Sequence, residues 1–184
     1  MWPPALENQD VLLRPLQSAD REAVFAALTT FSDISLWTRI PYPYERAHLD
    51  QFFASVDAWH RSRTDAVFAI IGPESDDLLG CCGVHRIGGD YKERSSLLPD
   101  EPGYWLAPDA RGRGLMTAGL RLACNFLHND CGRPLVNIQT KVGNTRSRAV
   151  IERVGFVYTE TVYASAVDDD ATCGDCDRFV LRQE

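Results

Sequence analysis

Seven consecutive residues, Arg111-Gly112-Arg113-Gly114-Leu115-Met116-Thr117, place two glycines and two arginines at the mouth of a helical run that starts near Leu115. That combination can seat a phosphate. Gly112 and Gly114 carry no Cβ, so the backbone there can approach a bulky anion and take angles that other residues avoid. The N–H groups of a first helical turn point at such an anion, and the helix dipole favours negative charge beside them. Arg111 and Arg113 can add charge-assisted hydrogen bonds. Two familiar phosphate motifs are excluded. No Gly-Lys-Ser or Gly-Lys-Thr follows, and the third glycine of a dinucleotide fingerprint would fall on Thr117. Because a glycine pair before a helix also makes an ordinary turn, the reading needs a second element.

That element lies some thirty residues on. Val136–Thr140 alternates like a strand, Gly143 and Asn144 break it, and Asn144 or Thr145 can cap a short helix that Gly155 ends. The order around both motifs is therefore strand (Gly103–Leu106), glycine turn, helix, strand, Asn turn, helix, Gly155-Phe156, strand.

With these motifs the chain resembles the GNAT N-acetyltransferase superfamily, which binds acetyl-coenzyme A through Gln/Arg-x-x-Gly-x-Gly/Ala at the head of a central helix. Arg111 fills the first position and Gly114 the fourth, while Met116 stands where Gly or Ala is usual. The string from Gly103 to Leu115, the Asn144-x-x-Ser147 spacing, Gly155-Phe156 and Pro41-Tyr42-Pro43-Tyr44 look like the branch that acetylates alanine or serine N-termini of ribosomal proteins, the RimJ/RimL-like enzymes. The likeness covers residues 10–183. It implies an α/β (α+β) fold with a central mixed, mostly antiparallel, six- to seven-stranded sheet, a splayed strand pair and about four flanking helices.

The resemblance also assigns roles. Unpaired peptide groups of Trp105, Leu106 and Ala107 would meet the pantetheine amides. The N–H groups of Arg113, Gly114, Leu115, Met116 and Thr117, with Arg111 and Gly112, would hold the pyrophosphate. Asn144 and Ser147 would meet the arm from the other side, and Arg146 or Arg148 the ribose phosphate. A neutral amine would attack the thioester directly, with a backbone N–H of 105–107 stabilising the oxyanion. The thiolate, of thiol pKa ~8.5, leaves readily. The amine is the harder partner. An α-amine near ~8 needs only a modest base, whereas a lysine ammonium near ~10.4 needs a strong one. Glu101 is the first candidate for that base, ahead of Asp100, Glu93 and His85. Ile151 occupies the position where many such enzymes carry a tyrosine acid, and Ser147 is the substitute the branch implies.

The remaining elements follow from periodicity. Val11–Pro15 reads as a strand, Ser18 to about Leu28 as a helix, and Glu45 to Arg61 as a second helix whose Leu49, Phe52, Phe53, Val56 and Trp59 form an apolar core stripe. Ala66–Ile71 and Leu78–His85 read as a hairpin, 158–163 and 178–181 as late strands, and 86–100 and 164–177 as loops. With the 32–44 loop, these two loops would wall the acceptor. The chain of 184 residues is expected to form one domain, 1–184, with its core in 10–183.

A formal charge of −7 argues against phosphate-driven nucleic-acid binding. No run reaches the ~20 apolar residues of a membrane span, and Met1-Trp2-Pro3-Pro4 lacks a basic region followed by an apolar stretch. A cytoplasmic protein is expected. Of six cysteines, only Cys173-Gly174-Asp175-Cys176 has metal or redox spacing, half a zinc site at best, so no metal is expected. Three functions compete: an N-acetyltransferase for a protein or peptide α-amine, one for a small amine such as a polyamine, amino acid or antibiotic, and an acyl-CoA sensor without turnover. The oligomeric state is open, a homodimer included.

Overall fold

Two segments without a charged residue, Ala66–Ile71 and Leu78–Gly83, build the centre of the molecule. The structure is a computed structural model that describes residues 2–73, 76–89, 98–163 and 174–183. Its strands are β1 (Leu6–Glu7), β2 (Leu12–Pro15), β3 (Ala66–Ile71), β4 (Leu78–His85), β5 (Glu101–Leu106), β6 (Leu135–Lys141), β7 (Val157–Val162) and β8 (Cys176–Arg182). Its helices are α1 (Arg21–Thr30), α2 (Asp33–Trp37), α3 (Arg46–Ser62), α4 (Leu115–Asn125) and α5 (Thr145–Val154).

The strands form two antiparallel sheets, β1-β2-β3-β4-β5 and β6-β8-β7. One mixed sheet of six or seven strands was expected; among the described residues there are eight strands in two sheets and five α-helices. The division falls between β5 and β6. Asn137 N–H donates to the Asp100 carbonyl at 3.4 Å, and the Asn137 side chain donates to the Pro99 carbonyl at 2.8 Å. One residue on, Gln139 Nε2 reaches Glu101 Oε2 at 3.3 Å. The two strands therefore leave that point in the same direction, then diverge without a ladder among the described residues. The expected splayed pair is real, and it is the seam between the sheets.

Alternation along β3 explains the packing. Phe68 and Ile70 face one core with Leu13, Cys82, Leu120 and Leu127. Val67, Ala69 and Ile71 face the other, with Val24, Leu28, Leu49, Phe53 and Val56. Both faces are covered, so β3 is buried throughout. Burying one large apolar side chain contributes roughly 1.5–3 kcal/mol. That margin lets the neighbouring strands carry glycines at 80, 83 and 103, which weaken a strand locally. The 3₁₀ turn Ser18–Asp20 leads into α1, and Arg14 clasps Asp20 at 2.7 and 2.8 Å, which locks β2 to that helix.

Candidate functional site

The glycines at 112 and 114 are required by the backbone itself. Both hold positive φ, +76° and +80°, and a Cβ on either would meet nothing within 4 Å. They turn the chain out of a 3₁₀ turn (Pro108–Ala110) into α4, whose N-cap is Gly114. The Gly114 carbonyl accepts the Ala118 N–H at 3.1 Å, so the N–H groups of Leu115, Met116 and Thr117 have no acceptor within the helix. Gly114, Leu115, Met116 and Thr117 border a groove of about 810 Å³.

The arginine of the same motif is used differently from the expectation. Arg111 Nε donates to the Leu106 carbonyl at 2.9 Å, and its guanidinium pairs with Asp33. It is committed to protein and ties α2 to the end of β5. Arg148 is likewise committed, to Glu152 at 2.8 Å and Asp177 at 3.0 Å, and lies away from the groove. Arg146 borders the groove.

The parity of β5 decides which peptide groups the seam exposes. Ala107 N–H donates to the Leu79 carbonyl at 2.9 Å. With Trp105 opposite Cys81 and Gly103 opposite Gly83, alternation of the antiparallel ladder turns Gly103, Trp105 and Ala107 toward β4. Tyr104 and Leu106 then point their N–H and C=O groups into the seam, and Leu106 C=O is the one that Arg111 bonds. Trp105 and Ala107 were expected to offer open peptide groups. Leu106 N–H and Tyr104 are the groups available, and Ala107 does not border the groove.

Opposite β5 stands the start of α5. Asn144 caps it, its Oδ1 accepting the Ser147 N–H at 3.2 Å. Ser147 Oγ lies 3.0 Å from the phenol oxygen of Tyr104. Burial pushes the Tyr104 pKa far above its ordinary value, so it is a neutral phenol at any physiological pH. Trp37, Thr38, Tyr104, Trp105, Asn144 and Ser147 border both the groove and a second cavity of about 650 Å³. The two cavities meet at the Tyr104–Ser147 pair.

Glu101 faces the second cavity from the first position of β5 and is only 5% exposed. Its Oε2 accepts the Leu98 N–H at 2.6 Å and the Gln139 amide at 3.3 Å. Burial pushes its pKa up to about 7, against the opposing pull of the Leu98 hydrogen bond and of Arg39 and His85. A carboxyl poised there can take a proton from an amine at neutral pH. Of the other candidate bases, Asp100 is occupied: it accepts Gly88 N–H at 2.8 Å and pairs with Arg133 at 3.0 Å, which fixes the entry of β5. His85 borders the cavity, and Glu93 lies outside the described residues.

A groove ending in helix N–H groups, an open strand edge and a second cavity sharing its inner wall form a two-substrate site. Comparison with known proteins places the chain in a family. Residues 10–157 match the family described as acetyltransferase (GNAT) domain. The chain belongs to the GNAT acetyltransferase family. The Bacillus subtilis protein named "Putative ribosomal N-acetyltransferase YdaF" is 40% identical over 152 residues, 82% of this chain and 79% of its own. Among solved structures, Mycobacterium smegmatis RimJ in complex with CoA-disulfide has a TM-score of 0.79 at 18% identity, covering 98% of this chain and 88% of its own. Spermidine N-acetyltransferase from Vibrio cholerae, in complex with CoA and spermine, has a TM-score of 0.73 at 18% identity, covering 96% and 97%. At such identities the two structures show the shared fold.

In this GNAT acetyltransferase the lining of the second cavity was only partly foreseen. The α3 stripe splits: Leu49, Phe53 and Val56 are core, while Phe52 and Trp59 border the second cavity with His48. Tyr44 of the Pro-Tyr-Pro-Tyr string turns inward, and Tyr42 stays exposed. Residues 90–97 and 164–173 of the expected loop walls, and Cys173 of the cysteine pair, lie outside the described residues. Burial pushes Cys82 up to about 12 and Cys81 higher, so neither supplies a thiolate. No described helix is long and apolar enough to cross a membrane.

Proposed function

We propose that this enzyme transfers the acetyl group of acetyl-CoA to the α-amine of a protein or peptide N-terminus by direct attack. The observation that carries the choice of acceptor is the buried Glu101 at about 7 on the wall of the second cavity. An α-ammonium near ~8 lies only ~1 unit above it, whereas a lysine-type ammonium near ~10.4 lies ~3 units above, an uphill transfer of roughly 4 kcal/mol. The base is matched to an α-amine. The relative named as a ribosomal N-acetyltransferase supports the same reading.

The residues divide the work. The first-turn N–H groups from Leu115 to Thr117 suit the diphosphate of coenzyme A. Leu106 N–H and Tyr104 C=O suit the amides of its pantetheine arm, which would complete the open edge of β5 as an added strand. Asn144 keeps Nδ2 for the same arm, since its Oδ1 caps α5. Glu101 takes the proton from the amine, and the Ser147–Tyr104 hydroxyl pair returns one to the departing thiolate.

The test is a panel of peptides that each contain a lysine, with the α-amine free or blocked, together with spermidine. Thiol release and mass spectrometry are read with acetyl-CoA as donor. The expected outcome is one acetyl group, on the free α-amine. Faster acetylation of spermidine or of blocked peptides overturns the α-amine reading.

A further inference from the structure

Beside Glu101 stands an acid–histidine pair that the scheme above leaves unused. His85 and Glu101 are partners in the β4–β5 ladder, so their side chains leave the same face of the sheet. Asp65, at the foot of β3, is 8% exposed, and its Oδ1 lies 3.2 Å from His85 Nδ1 and 3.3 Å from the Arg86 N–H. A carboxylate cannot donate, so the imidazole gives Asp65 its Nδ1–H. In the neutral ring that bond selects the tautomer whose Nε2 carries a lone pair. Burial alone would raise the Asp65 pKa, but hydrogen bonds from the His85 ring, Thr64 and the Arg86 N–H pull it below the ordinary carboxylate value, so Asp65 stays an anion.

Two glycines make the room that the imidazole ring occupies. Two residues along each strand, Gly83 faces Gly103 across the ladder, on the face that His85 and Glu101 share. A Cβ on Gly83 would stand 2.9 Å from His85 Nε2, and one on Gly103 would stand 3.6 Å away. The imidazole thus lies over a side-chain-free patch of sheet. Trp59 of α3 meets it edge to face at 6.4 Å. His85, Gly83, Gly103 and Glu101 all border the acceptor cavity.

We propose that His85, oriented by Asp65, is an acceptor-binding residue: Nε2 of the neutral ring accepts a hydrogen bond from the substrate ammonium in the cavity that His85 and Glu101 both border. An ammonium has three N–H bonds. One is held by His85 and one proton passes to Glu101, which frees the nitrogen lone pair. That pair forms the C–N bond as the C–S bond of the acetyl thioester breaks, and the second proton shed by nitrogen ends on the thiolate sulfur. Asp65 is a positioning residue, acting only through the imidazole.

This inference rests on the α-amine reading. The test uses the intact protein and a free α-amine peptide, with KM measured separately for peptide and acetyl-CoA. His85→Leu removes the acceptor lone pair at similar bulk. The peptide KM is expected to rise roughly ten- to hundredfold, the loss of one hydrogen bond to a charged group, while the acetyl-CoA KM stays. His85→Gln, which keeps an oxygen lone pair, is expected to recover most of that loss. Asp65→Leu, which frees the ring, should raise the peptide KM without moving that of acetyl-CoA. An unchanged peptide KM in His85→Leu overturns the proposal, as does equal damage by Gln and Leu, or a parallel rise in the acetyl-CoA KM. A wild-type protein that acetylates no peptide overturns the α-amine reading and this proposal with it. An active wild type with an indifferent His85 overturns this proposal alone.

Discussion

Ser147 Oγ and Tyr104 Oη lie 3.0 Å apart, on elements 43 residues distant in sequence, where the two cavities of the site meet. Ile151 leaves this chain without a phenol at the usual helix position, and in the proposed scheme the pair would supply one from β5 instead. Burial keeps Tyr104 protonated, so it can donate to Ser147 while Ser147 donates to sulfur. A thiolate is already a fair leaving group, so the gain is small for acid catalysis. Tyr104→Phe and Ser147→Ala are each expected to lower kcat about tenfold, near or below the low end for a positioned acid. The double variant should cost little more than either one, because both remove the same proton path. Additive losses in a kcat double-mutant cycle would separate the two hydroxyls.

As the proposed base, Glu101 would link activity and stability with opposite signs. Its carboxyl sits at about 7 in the folded protein against an ordinary 4.5. Below pH 4.5 it is neutral in both states. Between 4.5 and 7 the unfolded chain has lost the proton and the folded one keeps it, so stability falls as pH rises. The full loss is about 3 kcal/mol above pH 7. Over the same interval the base becomes available, so kcat/KM should climb and level off near pH 7. Glu101→Gln should lose roughly 10²- to 10⁴-fold in kcat, lose that limb of the pH profile, and melt higher than wild type at pH 8 but not at pH 4. Melting curves and kcat/KM at matched pH values check both signs.

Much of this was legible along the chain, because it depends on near neighbours. The glycines at 112, 114 and 155 sit at positive φ where the turns demand them, and Asn144 caps α5 by its own side chain. The β3–β4 hairpin and the edges of α3 follow from periodicity. What escaped needed a partner far away. Glu101 opens a strand, a place usually exposed, yet it is buried at the seam, where Gln139 of β6, 38 residues on, donates to its carboxyl. Which β5 peptides are open depends on the register with β4, where a shift of one residue reverses the answer. The five-residue α2 has no side-chain cap to announce it.

The Arg111–Asp33 pair, 78 residues apart, makes the motif's first position a brace for α2, which carries Trp37 to the junction of the cavities. Asp33 is held below the usual carboxylate range by the Arg111 hydrogen bond. Its side chain is 42% exposed, so solvent screening discounts the pair. Arg111→Ala also strips Nε from the Leu106 carbonyl. The expected loss is about 1–2 kcal/mol of stability, most of it kept in Arg111→Lys only if the Asp33 contact dominates. Chemical denaturation of Arg111→Ala, Arg111→Lys and Asp33→Ala distinguishes the two contacts. A loss in Arg111→Ala no larger than in Asp33→Ala would show that the bond to Leu106 adds nothing.

Gly114 carries two requirements that substitution can separate. Its φ of +80° is costly for any β-branched side chain, and its open surroundings are where the diphosphate would rest. Gly114→Val should therefore lose about 1–3 kcal/mol of stability from strain and bind coenzyme A severely more weakly. Gly114→Asn accepts the left-handed backbone far better, so its stability should stay near wild type. Its side chain still intrudes on the anion, so its affinity should fall by tenfold or more. Calorimetric titration with coenzyme A, beside thermal melts, reads the two effects independently. Full affinity in the folded Asn variant would move the diphosphate away from the mouth of α4. An affinity loss in Val alone would mean that backbone geometry, and not occupied space, governs binding.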